Sequence, residues 1–257
     1  YILDLVENPN LKESNISHPW EYARFVFIKD IFNTLIREED YLLDMGSGDG
    51  FVLSQIQRSN KKINFIGVDK YYNSNQINKL KSRLKSEHIY NKIESVEIGE
   101  SKVTIVLLLD VLEHIKDPKK ILNDLVKNIF IDKECKLIIT VPAFQSLFTA
   151  HDKYLGHYKR YNLKSIEKLI KSCGFIILDK GYFFYSILII RILEKLAEIF
   201  FKYDNSNKVS QNFKHKFFRS LIKNIMISEN LIFKKIKNIT GINFPGLSLY
   251  IVCQIQQ

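Results

Sequence analysis

Cysteine is scarce in this sequence: 257 residues contain three, Cys135, Cys173 and Cys253. The number is odd and no pair has CxxC spacing, which argues against a disulfide framework and against a structural zinc site. Because disulfides belong to oxidising compartments, so few cysteines favour a reducing one, and we expect a cytoplasmic protein.

Long uncharged apolar runs are also missing. The longest apolar stretch runs from Tyr182 to Phe201 and is interrupted by Arg191, Glu194, Lys195 and Glu198. A charged side chain near the middle of a bilayer is costly. We therefore expect no membrane-spanning helix.

Negative charge is in deficit, since 38 Lys and Arg residues outnumber 28 Asp and Glu residues and give a net charge of +10. The positive charges stand in ones and twos, without the clusters or motifs of nucleic-acid-binding proteins. We expect a basic surface and no nucleic-acid partner.

The apolar fraction of 46% is enough for the packed core of one sizeable domain.

Up to residue 181, short apolar runs alternate with segments of helical periodicity, beginning with a helix predicted over Pro19–Leu35. The predicted strands are Tyr41–Met45, Ile63–Val68, Ile93–Ile98, Val103–Leu109, Leu137–Val141 and Phe175–Gly181. The predicted intervening helices are Phe51–Gln57, Gln76–Ser86, Pro118–Ile129 and Leu163–Ser172. This alternation predicts an α/β fold with a mostly parallel sheet and helices on both faces.

The pattern changes after Gly181. Two helical segments, Tyr182–Tyr203 and Phe213–Ile239, precede an apolar strand at Leu247–Ile255. We divide the chain into a core of residues 1–181, a helical insertion of residues 182–240 and a final strand within residues 241–257. The last strand makes the sheet seven-stranded.

A glycine-rich loop follows the first predicted strand, in the segment Tyr41–Gly50, which reads YLLDMGSGDG. Glycines permit positive φ and let a ligand approach the backbone, and free N–H groups at a helix start attract polar or anionic groups. Asp69 and Asp110 end two further strands. Because open α/β sheets bind ligands at the carboxyl ends of their strands, these features predict one ligand site.

These residues give the sequence a resemblance to the class I S-adenosylmethionine (SAM)-dependent methyltransferases, over about residues 18–181 and the last strand. The loop matches the DxGxGxG motif of that family, which differs from the dinucleotide-binding GxGxxG. The resemblance implies a Rossmann-like fold, SAM as donor and S-adenosyl-L-homocysteine (SAH) as product. The donor-binding residues that it implies are Asp44, Gly46, Ser47, Gly48, Gly50, Asp69, Lys70, Asp110 and Val111. The adenine-side acid of the family has no clear match, and Glu100 is the nearest candidate.

A dense polar and aromatic segment, Phe144–Tyr161, follows the strand that ends at Val141-Pro142 and reads FQSLFTAHDKYLGHYKRY. Such composition is unlike an ordinary linker. It is similar to the HDxxLGHxRRY segment of bacterial methyltransferases encoded with cell-surface glycan genes, some of which act on small or lipid-linked acceptors. The predicted acceptor-binding residues are Trp20, Arg24, Asp152, Tyr158, Arg160 and Tyr161.

Three histidines, His114, His151 and His157, are candidate catalytic bases, because histidine titrates near neutral pH and an alcohol acceptor benefits from a base. An alternative is that the His and Tyr side chains only anchor a lid over the donor. Asp110, Glu113 and His114 also have a spacing similar to that of metal-assisted quinone O-methyltransferases. Because Asp110 is expected to face SAM, we assign no metal.

The predicted function is SAM-dependent O-methylation of a small anionic (phosphorylated or carboxylated) or carbohydrate-derived metabolite, in capsule or other surface-glycan biosynthesis. A quinone-type O-methyltransferase, a nucleic-acid methyltransferase and a non-catalytic SAM-binding partner protein are the alternatives. The segment from Asp110, DVLE, lacks the NPPY or DPPY tetrapeptide of many nucleic-acid enzymes. We expect the inserted helices to cap the acceptor segment. Packing on the protein's own sheet edge, a homodimer seam through residues 182–240 and peripheral contact with an anionic membrane are the alternatives.

Overall fold

The computed structural model describes residues 19–35, 41–59, 63–128, 130–201 and 216–256. The strands of this part are β1 Tyr41–Met45, β2 Asn64–Val68, β3 Ile89–Tyr90, β4 Val103–Leu109, β5 Ile131–Pro142, β6 Phe175–Phe183 and β7 Ser248–Ile255. The α-helices are α1 Pro19–Phe32, α2 Phe51–Ser59, α3 Ser74–Leu84, α4 Pro118–Lys127, α5 Ala150–Tyr154, α6 Leu163–Ser172, α7 Tyr185–Phe201 and α8 Lys216–Thr240. Short 3-10 turns occupy Ile93–Ser95, Leu112–His114 and Gln145–Leu147.

The seven strands form one sheet in the order β3-β2-β1-β4-β5-β7-β6. Strands β1 to β5 pair in parallel, and β7 runs antiparallel to both of its neighbours. The chain order reverses between β1 and β4, and a reversal of this kind opens a ligand crevice at the carboxyl ends of the strands. The predicted Rossmann-like fold with a mostly parallel seven-stranded sheet is confirmed.

Apolar strands buried on both faces hold the sheet between two layers of helices. Strand β4, with the sequence VTIVLLL, shows the pattern, since six of its seven residues are buried. One face packs against α4 and α6, through Leu122, Leu125, Ile166 and Ile170. The opposite face packs against α1, α2, α3 and α8, through side chains that include Ala23, Phe27, Leu53, Leu80 and Met226. Each large side chain buried in this way contributes about 1.5–3 kcal/mol.

Side-chain caps fix where several helices begin. Asn73 and Gln76 form a capping box at the start of α3, and Asp117 accepts a hydrogen bond from the Lys120 N–H at the start of α4. Pro118 follows Asp117 at the first helical position, where a missing N–H costs nothing. These helices lead the chain back across the sheet faces, from β2 to β3 and from β4 to β5.

The residues after β6 form the two helices that the sequence indicates. Helix α8 packs against α1, where Lys234 pairs with Asp30. Glu229 of α8 accepts hydrogen bonds from two N–H groups at the start of α7. Helix α7 in turn reaches the segment Phe144–Tyr161, where Lys195 Nζ donates to the Phe148 carbonyl at 2.8 Å. No helix within the described ranges is long and apolar enough to cross a membrane.

One predicted strand is wrong. The segment Ile93–Ile98 starts as a 3-10 turn, and the third strand is the two-residue Ile89–Tyr90. This strand pairs with β2 at two positions only, so it leaves no periodic apolar run in the sequence. Strand β6 also extends to Phe183, two residues into the predicted insertion. The predicted helix ends at Tyr203 and Phe213 lie outside the described residues.

Candidate functional site

The loop after β1 is shaped by glycine. Gly46, Gly48 and Gly50 have φ values of 84°, 52° and 72°, which side chains other than glycine rarely adopt. A Cβ atom on Gly46 would lie 2.6 Å from Cγ2 of Val111, which directly follows Asp110 after β4. Glycine at position 46 therefore allows the loop to reach the segment after β4.

Asp69, at the end of β2, is tied to the same loop. Its Oδ2 accepts a hydrogen bond from the Gly48 N–H at 3.1 Å, and its Oδ1 accepts one from the Tyr71 N–H at 2.9 Å. The hydroxyls of Ser47 and Tyr72 are 2.9 Å apart and connect the loop to the segment after Asp69. Each carboxylate oxygen keeps a further lone pair, so Asp69 can still accept the two hydroxyls of a ribose.

A cavity of about 540 Å³ opens at this edge of the sheet. Six predicted site residues line it: Gly46, Asp69, Lys70, Val111, His114 and Tyr158. The cavity therefore runs from the predicted donor residues to the predicted acceptor segment. Its volume is typical of a small-molecule site.

The sequence interpretation missed several lining residues. Asn91, Lys92, Ile93 and Glu94, which follow β3, line the cavity, whereas the lining within the described ranges does not include Glu100. These four residues after β3 were missed because the sequence was wrongly predicted to form a strand at Ile93–Ile98. Correct placement of β3 would have put Asn91 and Glu94 at the carboxyl end of a strand. Tyr71 and Tyr154 also line the cavity and were missed.

Asp44 and Asp110 are not among the described lining residues. Asp44 is buried, and burial raises its pKa to about 7 although the Arg24 guanidinium opposes the rise. Asp110 has a positive φ of 55°, accepts a hydrogen bond from the Thr140 hydroxyl at 2.8 Å and pairs with Arg24. Arg24, predicted to bind the acceptor, is thus engaged with Asp110. Trp20 of α1 is partly exposed, outside the described cavity lining.

Asp152 is the centre of a buried network behind the cavity. Its Oδ1 lies 2.9 Å from His157 Nδ1 and 2.8 Å from Arg160 Nε. Its Oδ2 accepts from the Thr149 N–H at 2.9 Å and from Arg191 Nη2 at 3.2 Å. Burial alone would raise the pKa of Asp152, but hydrogen bonds and charge from His157 and Arg160 outweigh it and hold the pKa well below its usual range. The carboxylate therefore stays ionised.

This network fixes the segment that carries His157 and Tyr158. Arg160 also donates to the Ala143 carbonyl at 3.2 Å, and the Tyr161 hydroxyl donates to the Leu112 carbonyl at 3.2 Å. Asp152, Arg160 and Tyr161 are buried and are not among the described lining residues. Their contact with the acceptor stays a prediction.

His114 and His157 meet edge to face, with ring centroids 4.6 Å apart. Burial, followed by the neighbouring His157, lowers the pKa of His114 to about 3, so His114 is neutral and a weak base. His157 Nδ1 faces the ionised Asp152 carboxylate. Of the three histidines predicted as bases, His157 has the ring that a carboxylate orients. It is not among the described lining residues, but its ring touches His114, which lines the cavity. His151, on α5, is half-buried and outside the described cavity lining.

Glu113, His114 and His157 also offer one potential metal ligand each, and these atoms lie within 4.8 Å of one another. Burial and then Asp110 raise the pKa of Glu113 well above its usual range, so its carboxyl is protonated. Among the described side chains around this cluster, two carboxylates and three guanidiniums are charged: Asp110, Asp152, Arg24, Arg160 and Arg191. We assign no metal to this cluster, and its absence stays a prediction.

Comparison with known proteins agrees with this arrangement. A family model described as a methyltransferase domain matches residues 20–180. A search of curated proteins finds no match. Phosphoethanolamine N-methyltransferase 2 of Haemonchus contortus, solved with phosphomonomethylethanolamine and SAH, has a TM-score of 0.57 and 19% identity, covering 95% of this chain and 55% of its own.

Two further solved structures share the fold. The plantazolicin methyltransferase BpumL, solved with SAH, has a TM-score of 0.55 and 14% identity, with 99% of this chain and 90% of its own covered. A SAM-dependent methyltransferase from Archaeoglobus fulgidus has a TM-score of 0.51 and 15% identity, with 90% of this chain and 94% of its own covered.

Proposed function

The chain belongs to the SAM-dependent methyltransferases, and from this membership we propose that it methylates an oxygen atom of a small anionic or carbohydrate-derived acceptor. SAM, when bound, supplies a methyl group on a positively charged sulfur. The protein has to hold this donor, align the acceptor oxygen with the methyl carbon and receive the proton of the acceptor hydroxyl.

The observation that carries the proposal is that one cavity is lined both by predicted donor residues and by the predicted acceptor segment. At one end, Asp69 and the loop at Gly46 suit the ribose and the amino-acid part of the donor. At the other end, His114 lines the cavity and touches the ring of His157, which Asp152 holds. A base at the acceptor end favours an alcohol, because a phosphate or carboxylate oxygen hardly needs one.

The lining also supports a small acceptor of carbohydrate type. Tyr71, Tyr154 and Tyr158 expose 45%, 44% and 59% of their surfaces beside this cavity, and such aromatic faces can pack against a sugar ring. The two lysines of the lining, Lys70 and Lys92, suit an acceptor that carries a phosphate or carboxylate.

A nucleic-acid acceptor fits this cavity less well. Binding of a polynucleotide needs several cations that contact successive phosphates. In the described part of the lining, the positive charges are those of Lys70 and Lys92, and they are balanced by Asp69 and Glu94. The resemblance of Phe144–Tyr161 to enzymes of surface-glycan gene clusters leads us to include capsule or other surface-glycan precursors in the proposal.

Replacing Asp69 tests the donor end. We expect Asp69→Ala to weaken SAH binding by about 1–3 kcal/mol, because the ribose hydroxyls lose their acceptor. Isothermal titration calorimetry with SAH measures this change. Asp132→Ala is the control, because Asp132 is a partly exposed residue of β5 outside the described cavity lining. Equal affinities of the two variants for SAH would show that Asp69 does not bind the donor.

A screen of acceptor classes tests the proposed function. Purified protein would be given SAM with sugar nucleotides, sugar phosphates, quinone precursors, small amines or RNA, and SAH release would be measured. We expect release with hydroxyl-bearing sugar derivatives. Release that occurs only with amines or only with RNA would contradict the proposal.

A further inference from the structure

Helix α7 of the inserted segment contributes a buried cation to the network behind the cavity. Arg191 is 7% exposed, and its Nη2 donates to the Thr149 hydroxyl and to Asp152 Oδ2. One carboxylate oxygen of Asp152 thus contacts Arg191, and the other contacts His157 and Arg160. The insertion and the candidate base are therefore joined through one carboxylate.

We propose that Arg191 is a positioning residue for His157: it fixes the Asp152 carboxylate and sets how readily His157 takes up a proton. The proposal rests on the proposed function, in which His157 is the base. It gives the helical insertion a part in the acceptor site, because α7 supplies a group on which the geometry of the base depends.

Arg191 restricts the orientation of the Asp152 carboxylate. A carboxylate that accepts hydrogen bonds on both oxygens has little freedom to rotate, so the partner on Oδ2 restricts where Oδ1 points. Because Oδ1 holds Nδ1 of the His157 ring, this restriction also limits the orientation of that ring. Thr149 holds Oδ2 as well, through its N–H, but Arg191 is the partner that comes from outside the segment.

Arg191 also contributes to the charge that surrounds the His157 ring. The groups around its ring are Asp152 and Arg160 of its own segment, Arg191 of α7, and Glu113 and His114 of the turn after β4. Asp152 favours the protonated ring, and the two guanidiniums oppose it. Loss of the Arg191 charge should therefore let His157 bind its proton at higher pH, by on the order of 1 pH unit for a unit charge two contacts away.

Two variants separate charge from structure. Arg191→Gln keeps a hydrogen-bond donor and loses the charge, whereas Arg191→Lys keeps the charge but cannot reproduce the planar two-acceptor geometry. Lys195→Met is the matched control, since Lys195 lies one turn further along α7 and contacts the Phe148 carbonyl rather than Asp152. SAH binding confirms that each variant is folded.

The deciding experiment is an NMR titration of the His157 ring, whose signal is the one missing from His157→Asn among the six histidines of the chain. We expect the protonation midpoint to rise by about 1 pH unit in Arg191→Gln and to stay within about 0.3 units in Arg191→Lys and Lys195→Met. An unchanged midpoint in Arg191→Gln, or an equal shift in Lys195→Met, would overturn the proposal. If Arg191→Gln does not fold, Arg191→Lys decides by the same NMR signal. A changed chemical shift of the His157 ring supports the proposal, because the Asp152 carboxylate loses its planar partner, and a wild-type chemical shift overturns it.

The NMR readout needs no turnover, so the two proposals fail separately. If no hydroxyl acceptor is methylated while the midpoint still shifts, the proposed function fails and the positioning of His157 by Arg191 stands. If acceptors are methylated and the midpoint does not shift, the role of Arg191 alone is wrong.

Discussion

Replacing His157 with alanine is expected to lower the rate of methyl transfer by roughly 10²–10⁴-fold, the usual contribution of a general base. The affinity for SAH should stay unchanged, because the predicted ribose acceptor Asp69 and the Gly48 N–H that holds it belong to other segments of the chain. The variant should also fold, since Asp152 keeps its bonds to Arg160, Arg191 and Thr149 and no buried carboxylate is left unpaired. Single-turnover kinetics with SAM and a competent acceptor measure the rate.

His88→Ala is the control for this variant. His88 lies next to β3, where its Nδ1 is 3.4 Å from the Tyr90 hydroxyl, and the described cavity lining does not include it. We expect its rate to stay within about twofold of wild type, as for most substitutions outside a site. A His157→Ala protein that loses SAH affinity but keeps its turnover would show that the histidine only anchors a lid.

Replacing Gly48 with valine is expected to abolish donor binding, with SAH affinity reduced more than about 100-fold. Two causes act together. Gly48 has φ 52°, a conformation that is strained for a β-branched residue by a few kcal/mol. Its N–H also holds Asp69, so a shifted loop displaces the ribose acceptor. Calorimetric titration with SAH measures the affinity.

Gly99→Val is the matched control for the strain itself. Gly99 has a similar φ of 61°, and a Cβ atom built there meets nothing within 4 Å. It should lower the melting temperature without changing SAH affinity. If Gly48→Val binds SAH as tightly as Gly99→Val does, the loop after β1 is not the donor site.

The donor end could be predicted because its signals are local in sequence. The three glycines, Asp69 and Asp110 each follow a strand of at least five residues, so their position at one edge of the sheet follows from the parallel order. The residues after β3 could not be found in this way. A strand of two residues gives no apolar periodicity, and its place is fixed by pairing with Gly67 and Val68 of β2.

The sequence predicts which residue types are concentrated at the acceptor end. Only the structure shows how these residues are arranged. The sequence of Phe144–Tyr161 shows that His, Asp, Tyr and Arg are concentrated there, but not which of them face the cavity. The structure separates Tyr158, which lines the cavity, from Asp152 and Arg160, which are buried behind it. The contact of Asp152 with Arg191 joins residues 39 positions apart, and no sequence spacing predicts such a pair.

The most direct test of the whole account is to follow the methyl group itself. SAM labelled with ¹³C in its methyl group would be incubated with the protein and the acceptors that release SAH, and the products would be examined by NMR. We predict a methyl signal bonded to oxygen on a small hydroxyl-bearing product, present with wild-type protein and at least about 100-fold slower to form with His157→Ala. A methyl group bonded to nitrogen, or an O-methyl product that forms equally fast without His157, would contradict the account.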